Sequence, residues 1–98
     1  MADFDSLVFD WDEDKAARNL PAHGVSFEEA RSVFRDPLLA VYIDETHSVG
    51  EERYLALGTA DTGRLIMVVY SLQGTLIRII SARRPTRREL TEYEHSSP

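Results

Sequence analysis

An α+β fold, with N-terminal helices packed on a four-stranded antiparallel sheet and a short C-terminal helix, follows from three features of the sequence. Two helical signatures with N-capping residues precede residue 37. The apolar period then switches from helical to extended, and short glycine-bearing connections join the later segments. The 98 residues suit one domain spanning 1–98, with 1–5 and 95–98 as loosely held ends.

Residues 7–11 are a short apolar run that reads as a first strand. Asp10 and Asp12 are alternative N-caps for a helix over 14–20, which Pro21 and Gly24 should end or kink before residue 25. In the second helix Ser26 and Glu29 form a capping box, with Val25 and Ala30 as its hydrophobic staple. Phe27, Ala30, Val33 and Phe34 share one apolar face, and Asp36-Pro37 stops the helix.

Four strands follow, over 39–43, 53–58, 64–72 and 75–82. Asp61-Thr62-Gly63 and Gln73-Gly74 make their connections antiparallel hairpins. The third of these strands is apolar at both parities (Leu65, Met67, Val69 and Ile66, Val68, Tyr70), which marks a central strand covered on both faces. A last helix begins at Thr86, boxed with Glu89 and stapled by Pro85 and Leu90. Arg87 and Arg88 then occupy its first turn, where the macrodipole disfavours exposed cations by roughly 0.3–1 kcal/mol each. Such a start calls for an anion to bind or for nearby carboxylates.

Composition removes several classes of function. With no cysteine there is no disulfide framework, thiolate zinc site or cysteine nucleophile. The apolar run 65–70 is far short of the ~20 residues of a membrane span. The start Met1-Ala2-Asp3-Phe4-Asp5 is acidic where a secretory signal would be basic, so a cytoplasmic protein is expected. Asp10, Asp12, Glu13 and Asp14 cluster as a helix N-terminus favours, without the glycine and ligand order of a calcium loop; no metal or cofactor is expected.

The net charge of −6 hides a polarity along the chain. Residues 1–52 carry 13 acidic and 4 basic side chains, a balance of −9; residues 53–98 carry 4 and 7, a balance of +3. Between 53 and 88 a single acid, Asp61, faces Arg53, Arg64, Arg78, Arg83, Arg84, Arg87 and Arg88. All seven cations are arginine, whose planar fork suits phosphate and carboxylate. Whether these arginines meet a ligand or pair with the acidic half decides the function.

A set of ordered pieces then aligns the chain with a known family. They are Phe9-Asp10-Trp11-Asp12, Lys15, Asn19, His23 through Ala30, Val33-Phe34, Asp36-Pro37, His47-Ser48 and Gly50-Glu51-Glu52-Arg53. Arg78 through Arg84, Thr86, Glu89 and Tyr93 complete them. In their order and spacing the chain resembles the BrnT family of type II toxins. The resemblance implies a RelE-like ribonuclease fold, cleavage of RNA, growth inhibition, and a cognate antitoxin carrying a ribbon-helix-helix domain. DNA would be met only through that antitoxin. The family usually has a basic pair before the His-Gly, where this chain has Pro21-Ala22, so one backbone-touching cation is absent and the first helix should end earlier.

Metal-free RNA cleavage needs a base for the 2′-hydroxyl proton, cations for the phosphorane and a proton for the leaving 5′-oxygen. Simple alternation over 75–82 puts Leu76, Arg78, Ile80 and Ala82 on one face, and Ile77, Ile79, Ser81 and Arg83 on the other. Arg78, flanked by isoleucines, is either a phosphate contact or a structural ion pair, and the same choice holds for Arg83. Arg64 is catalytic or a solvated turn residue; Glu52 or His47 is the base, unless His47 is merely solvated. Lys15 contacts phosphate or pairs with Asp12 or Glu13, and His23 reads as a helix-end contact. The catalytic candidates are therefore Lys15, His47, Glu52, Arg64, Arg78 and Arg83. Arg53, Arg84, Arg87 and Arg88 are the RNA-binding candidates, with docking onto antitoxin carboxylates as the competing role of the last three. The leading expectation is a metal-independent endoribonuclease toxin. The alternatives are a weakly active or inactive antitoxin-binding module acting as co-repressor, and a scaffold whose arginines balance its own acids.

Overall fold

Asp12 and Ser26 start the two N-terminal helices. The computed structural model describes residues 4–45 and 52–96. Its elements are β1 (Val8–Trp11), α1 (Glu13–His23), α2 (Phe27–Ser32), β2 (Ala40–Ile43), β3 (Arg53–Thr59), β4 (Leu65–Gln73), β5 (Leu76–Arg83) and α3 (Arg87–Ser96). Short 3₁₀ turns lie at Phe4–Ser6 and Val33–Arg35.

The Asp12 carboxylate accepts from the Asp14 and Lys15 backbone N–H groups at 2.8 and 3.1 Å, and these bonds hold its pKa below the ordinary value. α1 runs past Pro21 to His23, longer than the expected 14–20, and ends before residue 25 as expected. Pro21, inside the helix, has no N–H to donate to the Ala17 carbonyl. Gly24, at φ 71°, then closes the helix by donating to the Leu20 carbonyl at 2.7 Å. In α2 the Ser26 hydroxyl accepts from Glu29 N–H at 3.0 Å, but the Glu29 carboxylate does not complete the box. Arg64 and Thr62 take it instead. The last turn of the expected second helix tightens into the 3₁₀ turn.

The expected four-stranded antiparallel sheet is corrected to a five-stranded mixed one, in the order β1-β5-β4-β3-β2. β2, β3, β4 and β5 form the antiparallel meander, and β1 adds to its far edge, parallel to β5. Central β4 has Ile66, Met67 and Val68 all buried, as its two apolar parities require. Gly63 and Gly74 supply the positive φ (86° and 60°) of the two hairpin connections.

One face of the sheet carries α1 and α2. Val25, Phe27, Ala30 and Val33 pack there on Ala56, Ile66, Val68, Tyr70, Ile77, Ile79 and Ala82. Trp11 meets Phe27 edge-on at 5.9 Å, and Phe34 meets Tyr70 at 5.2 Å. Burial and desolvation push the Tyr70 hydroxyl up to about 12.

β5 departs from simple alternation. Tyr70 pairs with Ile79 but Val69 with Ser81, so Ile80 is an extra, bulged residue. The bulge reverses the parity of everything after it. Arg78 pairs with Ser71 and Arg83 with Met67, and Ser71 and Met67 lie on one face of β4. The expectation that Arg78 and Arg83 lie on opposite faces is thereby corrected: both lie on the face away from α1 and α2.

Candidate functional site

Strand register assembles a polar row across this second face. Asp10 pairs with Arg78, Arg78 with Ser71, and Ser71 with Arg53. Beyond Arg53 the pairing runs to Asp44, whose N–H donates to the Arg53 carbonyl at 2.9 Å. At the other end of the face, α3 lies over Leu57 and Met67, both fully buried, with Glu89 and Glu92 above them. Between the polar row and α3 a cleft of about 420 Å³ stays open, lined by Asp44, Arg53, Leu55, Val69, Ile80, Ser81 and Arg83. Two guanidiniums, one buried carboxylate and one hydroxyl thus share an apolar floor.

Arg83 is held by the capping box of α3. Glu89 Oε1 and Oε2 accept from Arg83 Nη1 and Nη2 at 2.8 and 2.9 Å. Glu89 Oε1 also accepts from Thr86 N–H at 2.8 Å, while Glu89 N–H donates to Thr86 Oγ1 at 3.2 Å. The Arg83 fork, opposed by desolvation, pulls the Glu89 carboxyl down to about 2; Glu89 in turn raises the Arg83 pKa. With the Arg84 carbonyl accepting at 3.2 Å, three of the five guanidinium N–H groups are used, and the Nε side keeps donors for an anion. Arg78 Nη1 donates to Asp10 Oδ2 at 2.6 Å, with both side chains about half exposed. A pair so open to water can exchange a carboxylate for a phosphate at little cost.

The remaining expected site residues lie elsewhere. Arg64 is on the opposite face, where Nε and Nη2 bind the Glu29 carboxylate and Nη2 also donates to the Gly24 carbonyl at 2.8 Å. This pair lowers the pKa of Glu29, which is 8% exposed, and its work is to fasten the α1–α2 turn to β4. Glu52, one residue from Arg53, turns the other way and accepts from the Tyr54 hydroxyl at 2.6 Å. Lys15 is exposed on α1. Arg84, Arg87 and Arg88 are exposed, with Arg88 Nε 3.3 Å from Glu92 one turn on, and the Arg84 charge felt by Glu29. His47 lies outside the described residues. The sequence reading missed Asp44, which is 8% exposed and enters the cleft only because β2 pairs with β3. Among the described residues no three His, Asp or Glu side chains come together as a metal site. None of the described helices is long and apolar enough to cross a membrane.

Comparison with known proteins adds two findings. A family model described as the ribonuclease toxin BrnT of type II toxin–antitoxin systems matches residues 11–89. Among solved structures, the crystal structure of the Brucella abortus ribonuclease toxin BrnT is similar, with a TM-score of 0.62 over 83% of this chain and 99% of that one. At 21% identity this likeness speaks for the fold. No curated protein matches the chain.

Proposed function

Because the chain belongs to the BrnT family of ribonuclease toxins of type II toxin–antitoxin systems, we propose that the arginine cleft is where it cleaves RNA, without a metal ion. The observation that carries this reading is the bulge-made convergence of Arg53 and Arg83 on one cleft that also holds a buried carboxylate. A scissile phosphate sits between the two guanidiniums, whose fixed charge favours the phosphorane over the ground-state diester. A base at the Asp44 end takes the 2′-hydroxyl proton as that oxygen attacks phosphorus; Asp44 itself and His47, three residues on in the sequence, are the groups to test. The bond to the 5′-oxygen breaks, and a proton from the solvent-open cleft neutralises it. Arg83, its pKa raised by Glu89, stays a cation throughout and is not the acid. Arg78 extends the phosphate track along the polar row, and Arg84, Arg87 and Arg88 supply charge beyond the cleft.

The products of this route are a 2′,3′-cyclic phosphate and a 5′-hydroxyl. Cleavage of a defined RNA in EDTA at low salt, with end analysis of the fragments, tests the proposal. Products with 5′-phosphates, or cutting that needs a divalent ion, would overturn it.

The partner in this reading is an antitoxin of the ribbon-helix-helix class, and the work is done in the cytoplasm, where RNA is. A second reading, a module that binds antitoxin with little cleavage of its own, is favoured by the internal pairing of the arginines. Arg64 and Arg78 pair with Glu29 and Asp10 of the acidic half, and Arg83 and Arg88 pair with Glu89 and Glu92. Growth arrest on expression of the chain alone decides for the nuclease.

A further inference from the structure

β1 is too short to accompany β5 along its length. Their pairing ends at Trp11 and Ile79, just before the bulge at Ile80, and the chain leaves the sheet at Asp12 to enter α1. Beyond that point the outer side of β5 has lost its strand partner, in the stretch that leads to Arg83. Asn19 of α1 fills the place. Its Oδ1 accepts from Ala82 N–H at 3.2 Å, and its Nδ2 donates to the Ala82 carbonyl at 2.8 Å. The second Nδ2 hydrogen goes to the Val25 carbonyl at 2.9 Å. The side chain is 6% exposed, and its carboxamide donates and accepts toward one residue, as a neighbouring strand would. A bulged strand paired on one side only is less firmly held in register, and a slip of one residue would turn Arg83 to the helix-covered face.

We propose that Asn19 is a positioning residue for Arg83: its carboxamide replaces the missing continuation of β1 and holds the bulged end of β5 in the register that presents Arg83 to the cleft. The inference rests on the reading of that cleft as the RNA-cleaving site. Asn19 fixes the backbone of Ala82, the residue before Arg83, from the helix side, while Glu89 fixes the Arg83 guanidinium from the other. Neither contact involves substrate, so Asn19 acts only through Arg83.

Two measurements test this at a temperature where circular dichroism shows every variant folded. The first is a cleavage cycle of wild type, Asn19→Ala, Arg83→Ala and the double variant. Asn19→Ala should lower kcat/KM about tenfold or more in the parent and less than about twofold once Arg83 is gone. Val33→Ala, a truncation in the core at the 3₁₀ turn after α2, should stay within about twofold of wild type, which separates positioning from lost stability. Equal losses from Asn19→Ala in both backgrounds, or a loss in Val33→Ala as large as in Asn19→Ala, would overturn the proposal. An Arg83→Ala variant as active as wild type would instead overturn the reading of the cleft. The second measurement needs no turnover: titration of the Glu89 carboxyl by ¹³C NMR. If Asn19 holds Arg83 in place, Asn19→Ala moves that titration up toward the ordinary carboxyl range; an unmoved titration refutes the proposal whatever the activity.

Discussion

Replacing Glu89 by glutamine keeps the shape of the side chain and removes the charge that ties α3 to β5. In the folded protein this carboxyl sits at about 2 instead of its ordinary 4.5, chiefly because the Arg83 fork donates to both oxygens. At 1.36 kcal/mol per pKa unit the difference bounds its contribution at about 3 kcal/mol. Arg83 and Glu89 are 34% and 23% exposed, so solvent screening brings the expected value to about 1–2 kcal/mol. The folded pKa is depressed, so the stabilisation is full above pH 4.5 and is lost as pH falls through about 2. Urea unfolding of wild type and Glu89→Gln should therefore differ by about 1–2 kcal/mol at pH 7 and by less than about half of that at pH 3. A difference that is the same at both pH values would refute the ion-pair account. So would the absence of any difference at pH 7.

Three further outcomes are expected. Arg64→Ala strands the Glu29 carboxylate, 8% exposed, without its cation and should cost about 2–4 kcal/mol in thermal unfolding; a cost below about 0.5 kcal/mol would mean that the pair is screened like a surface one. Gly58→Ala would bring a Cβ to 2.8 Å from Leu39 Cδ1 and 3.3 Å from the Val33 carbonyl. The leucine tip can turn but the backbone oxygen cannot, so calorimetry should show a loss of about 1–2 kcal/mol, and an unchanged Tm would contradict the crowding. Arg78→Ala should cost less than about 1 kcal/mol of stability, yet reduce the slope of log affinity for RNA against log salt by about 1. An unchanged slope takes Arg78 off the RNA track.

Local chemistry was readable from the sequence where neighbours in the chain settle it. Ser26 caps α2, Thr86 and Glu89 close both bonds of their box, and Gly63 and Gly74 turn the hairpins. The two-sided apolar pattern of 64–72 found the central strand. What was not readable depends on pairings distant in sequence. β1 joins β5 across some 65 residues, which no periodicity records. The bulge at Ile80 hides in an Ile79-Ile80 pair that looks the same in either register, yet it decides which face Arg83 takes. Glu29 has the spacing of a capping box, but Arg64, 35 residues on, offers a charged partner and wins. Asp44 looks like any loop carboxylate until β2 is laid against β3.

The most direct test of the account compares the two faces of the sheet in one assay. Cleavage of a defined RNA in EDTA is measured for wild type, Arg53→Ala, Arg83→Ala and Arg64→Ala, each under conditions where it is folded. The account predicts cutting by wild type and by Arg64→Ala, with losses of about 100-fold or more for Arg53→Ala and Arg83→Ala. Loss in Arg64→Ala alone, with Arg53→Ala and Arg83→Ala still cutting, would contradict it and move the chemistry to the helix-covered face.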